Sequence, residues 1–359
     1  MKIAFRVDSS NIIGSGHLIR SINLAKSFSA NSIECIFFSK NLYGNLNELI
    51  TDAGFELSII DTKVDMNKIQ TDNHLSWIGG CEKEDANVSL KKAKKLKIDL
   101  IIVDHYSLSF EWEQTFQNNN IKVFVIDDFF DRKHACNYYL NQNIGVTSQN
   151  NFLSSETIIF QGPKYALLSD KYMNLRKDLN KEYVNLRILV NFGGMDKTNL
   201  TCKLIDCLEE CNNIKKADIH VVLGPGFIHK KEVLARKTET SFDFVIHHNP
   251  ENFPELIAWS NLFIGGCGST SWERCCLSTP SLAISQSENQ NNILEELANL
   301  GAVKEITFPF SSREIDNQIS NLTVLNFQSL KIMSKISSKI CDGNGCSRIV
   351  NYIRKDLNA

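Results

Sequence analysis

Several absences narrow the reading of this 359-residue sequence. No apolar run approaches the roughly 20 residues that a membrane helix needs. The charges nearly cancel, with 39 Lys and Arg against 41 Asp and Glu, which argues against a nucleic-acid groove or a polybasic membrane anchor. Neither nucleic acid nor a membrane is therefore expected among its partners. No Cys-x-x-Cys pair occurs, and eleven cysteines is an odd count, so structural zinc and a disulfide framework both fit poorly. Free, mostly buried thiols in a reducing cytoplasm are the expectation. There is no internal repeat and no low-complexity segment. The first residues do not read as a signal peptide, because Arg6, Asp8, Ser9, Ser10 and Asn11 follow the apolar Met1–Phe5 at once.

What is present reads as two α/β domains, since the length exceeds one ordinary domain. Short apolar runs such as Lys2–Arg6, Ile33–Ser39, Glu56–Ile60, Leu100–Val103 and Val123–Ile126 alternate with segments of helical spacing such as His17–Ser29 and Lys83–Leu96. The pattern restarts at Ile188–Phe192 and continues through Ile219–Leu223, Phe244–His247, Leu262–Ile264 and Ser281–Ile284. Such alternation predicts parallel sheets with helices on both faces, hence two Rossmann-like doubly wound domains. A linker is placed in Leu168–Leu186, giving domains 1–175 and 176–359. The second is expected to carry a helical tail from Ser312 to Leu357, broken at Asp342–Gly345 and able to pack back on the first domain. Ligands of open α/β sheets sit beyond the carboxyl ends of the strands. The two domains are therefore expected to face a cleft, and attention falls on the loops after the strands.

The first such loop runs Ser9-Ser10-Asn11-Ile12-Ile13-Gly14-Ser15-Gly16-His17. Gly14 and Gly16 permit close backbone approach, and Ser15 is placed to cap the following helix. The free N–H groups of a helix start favour an anion. His17 in the first turn should stay neutral and able to accept a proton, although a capped turn with a surface histidine fits the spacing equally well. In the second half, Gly193-Gly194 follows a strand and suits a phosphate or a plain tight turn. The run Gly265–Arg274 is richer. Gly268, Ser269 and Thr270 suit a diphosphate, and Glu273 is placed to accept hydrogen bonds from a ribose diol. Glu288-Asn289-Gln290 holds amides that suit a sugar or a water, or else a helix start with Asn289 as its N-cap. Asp104-His105-Tyr106 and Asp127-Asp128 also end strands. Asp104-His105 and His247-His248 are too small to be metal sites, so no metal and no cofactor are expected.

Taken together these blocks resemble the UDP-2,4-diacetamido-2,4,6-trideoxy-β-L-altropyranose hydrolases of pseudaminic acid biosynthesis. The resemblance rests on Phe5–Ser10, Ile13–Arg20, Val103–Tyr106, Ile126–Asp128, Asp131-Arg132, Gly162–Leu168, Asn191–Gly194, Trp272–Leu277 and Glu288–Gln290, in that order. It implies a glycosyltransferase-B fold with the nucleotide mainly on the second domain. It also implies that His17 is the catalytic base, that Asn289 helps place the water or sugar, and that Tyr106 lies near the sugar. Glu273 matches the residue that binds the uridine ribose, and Gly268, Ser269 and Thr270 match the diphosphate loop. Ser278-Thr279-Pro280 departs from the family's usual Gly-Leu-Pro at a helix end. The expected activity is hydrolysis of a UDP-sugar at the anomeric C–O bond by a monomer. A glycosyltransferase of the same fold and a non-catalytic UDP-sugar-binding protein stand as rivals.

Overall fold

A computed structural model describes residues 1–70, 73–145 and 152–357. In chain order they form β1 (Lys2–Val7), α1 (Gly16–Ser29), β2 (Glu34–Ser39), α2 (Glu48–Asp52), β3 (Glu56–Ile59), α3 (Glu82–Leu96), β4 (Leu100–Asp104), α4 (Phe110–Gln117), β5 (Lys122–Ile126), β6 (Tyr138–Asn141) and β7 (Ile158–Gln161). There follow α5 (Asp170–Lys177), β8 (Arg187–Asn191), α6 (Leu200–Glu209), β9 (Asp218–Leu223), α7 (Lys230–Glu239), β10 (Val245–His248), α8 (Phe253–Trp259), β11 (Leu262–Gly266), α9 (Thr270–Cys276), β12 (Ser281–Ile284), α10 (Glu288–Asn299), β13 (Val303–Glu305), α11 (Ser312–Ile340) and α12 (Gly345–Leu357).

Two compact units result, one of Met1–Leu168 with Gly345–Ala359 and one of Ser169–Asn344. The final helix thus joins the first unit, where the sequence division at 175/176 had assigned the whole tail to the second. Its apolar stripe explains this: Cys346, Ile349, Val350 and Ile353 recur at helical spacing and enter the core of the first sheet beside Ile3, Phe5 and Leu18. Arg354 Nη1 on Asn31 Oδ1 at 2.6 Å and Lys122 Nζ on Asp356 at 2.9 Å fix its outer side. The break in the tail falls between α11 and α12, and α11 itself is interrupted at Val324–Phe327, where three residues have positive φ.

The first sheet has the strand order β3-β2-β1-β4-β5-β6-β7 and the second β10-β9-β8-β11-β12-β13. All their pairings are parallel. Strands covered on both faces must be apolar throughout, and β4 (LIIVD) and β8 (RILVN) are nearly so. Along β1, Ile3, Phe5 and Val7 join the α1 and α12 side, while Ala4 joins the opposite layer with Ile101, Val103 and Trp112. Arg6 is fully buried and pairs with Asp8 (2.6 Å) and with Asp85 of α3 (2.8 Å). Removing one partner of such a pair costs about 3–5 kcal/mol.

All eleven cysteines are free, and only Cys81 is exposed. Among the described residues no helix is long and apolar enough to cross a membrane. Ser278 adopts φ 57° just after α9. There a serine bears the left-handed conformation at a cost of roughly 1–2 kcal/mol.

Candidate active site

In each sheet the strand order reverses at one point, between β1 and β4 in the first and between β8 and β11 in the second. Loops leaving neighbouring strands in opposite directions open a crevice there. The loop after β1 is folded by Ser10, whose hydroxyl accepts from the N–H groups of Ile12 and Ile13 at 3.1 and 3.0 Å. Gly14 has φ 83°, and a side chain there or at Gly16 would meet no atom within 4 Å. The chain then turns into α1. Ser15 occupies the N-cap position but makes no side-chain capping bond, so the expected cap is not formed.

His17 in the first turn of α1 lies beside the end of β4. Its Nδ1 is 2.6 Å from Asp104 Oδ1. Arg20, one turn on, spans the same carboxylate with Nε to Oδ2 at 2.7 Å and Nη2 to Oδ1 at 2.6 Å. Its Nη1 reaches Asp128 Oδ2 at 2.7 Å. Ser21 Oγ adds a bond to Asp104 Oδ2 at 3.3 Å. Burial opposes the charge of Asp104, but Arg20 and His17 outweigh it and hold the carboxyl well below the usual range. An ionised Asp104 accepts a hydrogen bond from Nδ1–H, which fixes the tautomer of the imidazole with Nε2 as the acceptor. Arg20 Nη2 is 3.2 Å from Nδ1, a longer approach that does not change this assignment. The Tyr106 hydroxyl donates to Asp128, and burial together with the Asp128 charge raises its pKa well above 10, so it remains a donor. The Tyr106 ring meets the imidazole of His17 edge-on at 4.6 Å. Trp77, Phe129 and His74 complete a cluster of rings around Tyr106 at 5.6, 4.9 and 5.5 Å.

The second reversal is built differently. Gly265 lies so close to β8 that a Cβ would sit 1.8 Å from the Asn191 carbonyl oxygen. Only glycine permits that approach. Gly193, at φ 89°, donates its N–H to Asn191 Oδ1 at 3.1 Å, and the Gly194 carbonyl accepts from Gly226 at 2.9 Å. Buried Arg274 pins the strand end and the helix start through the Gly266 carbonyl (3.1 Å) and Ser271 Oγ (2.8 Å). Ser269 stands exposed at the N-cap position of α9. Burial pushes the Glu273 carboxyl up to about 7, against hydrogen bonds with Tyr172 and Thr270 and the charge of Arg274. Its side chain keeps partial solvent contact. The amide of Gln290 lies beside Gly268, where a Cβ would be 3.4 Å from Nε2, and its Oε1 accepts from Gln286 N–H at 3.0 Å. The helix begins at Glu288 with Ser287 at the N-cap position, so Asn289 is not the cap. It lies in the first turn, and its side chain falls outside the description.

The whole chain superimposes on solved structures, with 99% of it matching 99% of MurG from Acinetobacter baumannii at a TM-score of 0.69 and 14% identity. The fold is the glycosyltransferase-B fold. No protein-family model matches the chain. Over 84% of its length it is 26% identical to the UDP-2,4-diacetamido-2,4,6-trideoxy-β-L-altropyranose hydrolase of Campylobacter jejuni, covering 97% of that protein. It is 29% identical over 82% of its length to an uncharacterized protein of Methanocaldococcus jannaschii, of which it spans 58%. The resemblance read from the motifs is thus to a real relative.

Within this fold, His17 and Tyr106 come together at the first reversal, near the open backbone of Gly14 and Gly16. At the second, Gly268, Ser269, Thr270, Glu273 and Gln290 share one corner, with Gly193 and Gly194 on the neighbouring strand end. Asp104, Arg20 and the ring cluster of His74, Trp77 and Phe129 were not singled out as site residues from sequence. One signal was available for Arg20, which stands three residues after His17 and so shares its helix face. Asp104 is read from the sequence as a strand end facing the cleft and as half of a pair too small for a metal, without a role at His17. Its neighbour His105 faces away, with Nε2 3.2 Å from buried Asp8. Among the described residues no group of three or more His, Cys, Asp or Glu is placed to hold a metal ion.

Proposed function

We propose that this chain hydrolyses a UDP-sugar, with His17 as the base that activates water. The observation carrying the proposal is the His17–Asp104 pair at 2.6 Å. An imidazole whose Nδ1–H is held by a buried carboxylate presents Nε2 in a fixed direction as a proton acceptor, the arrangement general-base catalysis needs. The Campylobacter relative is named as a hydrolase of a UDP-linked diacetamido trideoxy sugar, and its name supports the same substrate class here.

In the proposed reaction, water at His17 Nε2 loses a proton to the ring while its oxygen attacks the anomeric carbon. The bond from that carbon to the diphosphate oxygen breaks, and its electron pair leaves with UDP. The anomeric centre inverts and the free sugar departs. Tyr106, Gly14 and Gly16 border the sugar, and Asn289 and Gln290 position water or sugar. Gly193, Gly194, Gly268, Ser269 and Thr270 receive the diphosphate through backbone N–H groups and hydroxyls, and Glu273 accepts from the ribose diol. No metal or cofactor takes part in this scheme.

Incubation with a panel of UDP-sugars in ¹⁸O-water, followed by NMR and mass spectrometry, tests the reading. UDP and a free sugar carrying the label are expected. Label in UDP would mean attack at phosphorus, and no release of UDP from any sugar in the panel would remove the hydrolase reading.

A further inference from the structure

A buried carboxylate oxygen of the first-unit cluster has no hydrogen-bond partner among the described residues. Asp104 uses both oxygens, on His17, Arg20 and Ser21. Asp128 uses only Oδ2, which accepts from Arg20 Nη1 and from the Tyr106 hydroxyl. Its Oδ1 is buried and has no hydrogen-bond partner among the described residues, although the side chain as a whole is 11% exposed. A buried acceptor left unmade costs on the order of 1–3 kcal/mol, and more for a charged group. Such an orphan in a native structure calls for an explanation, and a donor on a bound molecule supplies one.

The surroundings limit what the donor can be. Phe129 follows Asp128 directly and stacks on His74 at 4.6 Å and 13°. Tyr106 and Trp77 continue the wall toward His17, and His74, Trp77 and Phe129 are each partly exposed. A cationic donor is disfavoured because the Arg20 guanidinium already sits on the same carboxylate. The site calls for a neutral N–H or O–H, and the rings call for an apolar group attached to it. A hydroxyl supplies only the donor. An acetamido group supplies both, an amide N–H and a methyl.

We propose that Asp128 Oδ1 accepts the N–H of an acetamido substituent on the bound sugar and that the Trp77–Phe129 ring wall covers its methyl, so that the first unit selects an N-acetylated amino sugar. The proposal rests on the UDP-sugar reading above and deepens it. It makes Asp128 a specificity-determining residue, separate from the base and from the nucleotide site.

The test is calorimetric binding of UDP, UDP-glucose and a UDP-2,4-diacetamido-2,4,6-trideoxy sugar to the full chain, together with turnover. The wild-type protein is expected to bind the diacetamido sugar about tenfold or more tighter than UDP-glucose, the value of one such hydrogen bond. In Asp128→Asn, Arg20 and Tyr106 both donate and so keep the amide oxygen on their side. The amide nitrogen then faces the acetamido N–H, and the preference for the diacetamido sugar over UDP-glucose should collapse to within about threefold by loss of that bond. Trp77→Ala should lower the same preference severalfold, and it stands in if Asp128→Asn does not fold. A preference that survives in these variants, a parallel fall for both sugars, or no preference in the wild-type protein overturns the proposal. Binding that follows the expected pattern without turnover would remove the hydrolase reading and leave this one standing. Turnover with an unchanged preference would do the reverse.

Discussion

The two strand-order reversals are the same device furnished in opposite ways. Around the β1–β4 reversal the chain presents side chains, His17 and Arg20 of α1, Asp104 and Tyr106 at the end of β4 and Asp128 after β5, locked into one hydrogen-bonded group. Between β8 and β11 the strand ends open onto Gly193-Gly194 and Gly268-Ser269-Thr270, and Arg274 of α9 is buried and spent on fixing the strand end and the helix start. A parallel sheet supplies the crevice in both cases, and what lines it decides the chemistry. Side chains with fixed protons suit a reacting centre. Bare backbone N–H groups suit a diphosphate, whose charge is spread over many oxygens. The contrast teaches that one architecture, used twice in a chain, can be lined by fixed side chains in one copy and by open backbone in the other.

That division can be broken by experiment, and the largest effect is expected at the first reversal. His17→Asn should lower kcat by about 10²–10⁴-fold, the range for losing a general base, while UDP affinity by calorimetry stays at the wild-type value. Asp104→Asn should follow it, by roughly 10²-fold or more, through the wrong tautomer and a loosened ring. Rescue by Asp104→Glu would mark orientation as the role. Near-normal turnover in His17→Asn would end the assignment of the base, and a loss of UDP binding in either variant would erase the contrast between the halves.

At the second reversal the effect should appear in affinity. Glu273→Ala is expected to weaken UDP binding by about 1.5–3 kcal/mol, the value of a hydrogen bond to a charged group. An unchanged calorimetric Kd would return Glu273 to a purely local role with Tyr172 and Thr270.

The smallest effect concerns pH. Burial pushes the Glu273 carboxyl up to about 7, so its ionised form grows in as pH rises through that value. If the carboxylate accepts the diol, UDP binding should strengthen from pH 6 to pH 8 by up to about tenfold. The partial exposure of Glu273 makes that figure a ceiling. The pH-dependent part unique to wild type, relative to Glu273→Gln, isolates this group from the titration of UDP itself. Identical profiles for the two proteins would show that the carboxyl does not touch the nucleotide.

Most of this scaffold was legible from spacing alone. Short apolar runs located β1 to β5 and β8 to β12, because a strand covered on both faces has little room for polar residues. The strands β6, β7 and β13 were missed. Of these, β13 has three residues, too short for alternation to register. The helices α4 and α7 were also missed, and α7, with one buried residue, carries almost no apolar face.

The sequence by itself determined two parallel α/β units, a histidine at the first helix start and glycine-rich loops in the second half. Each of these is a local property, set by propensity and by the period of apolar residues. Only the tertiary structure decided which groups meet. Asp104 lies 87 positions from His17, and it reaches the ring because β1 and β4 are neighbours in the sheet with Val7 opposite Asp104. Sheet order likewise placed Asp128 against Arg20, 108 positions away, and left one of its oxygens without a donor among the described residues. It also returned α12 to the first unit. Pairings of this kind follow from strand order and register, which no local stretch of chain encodes.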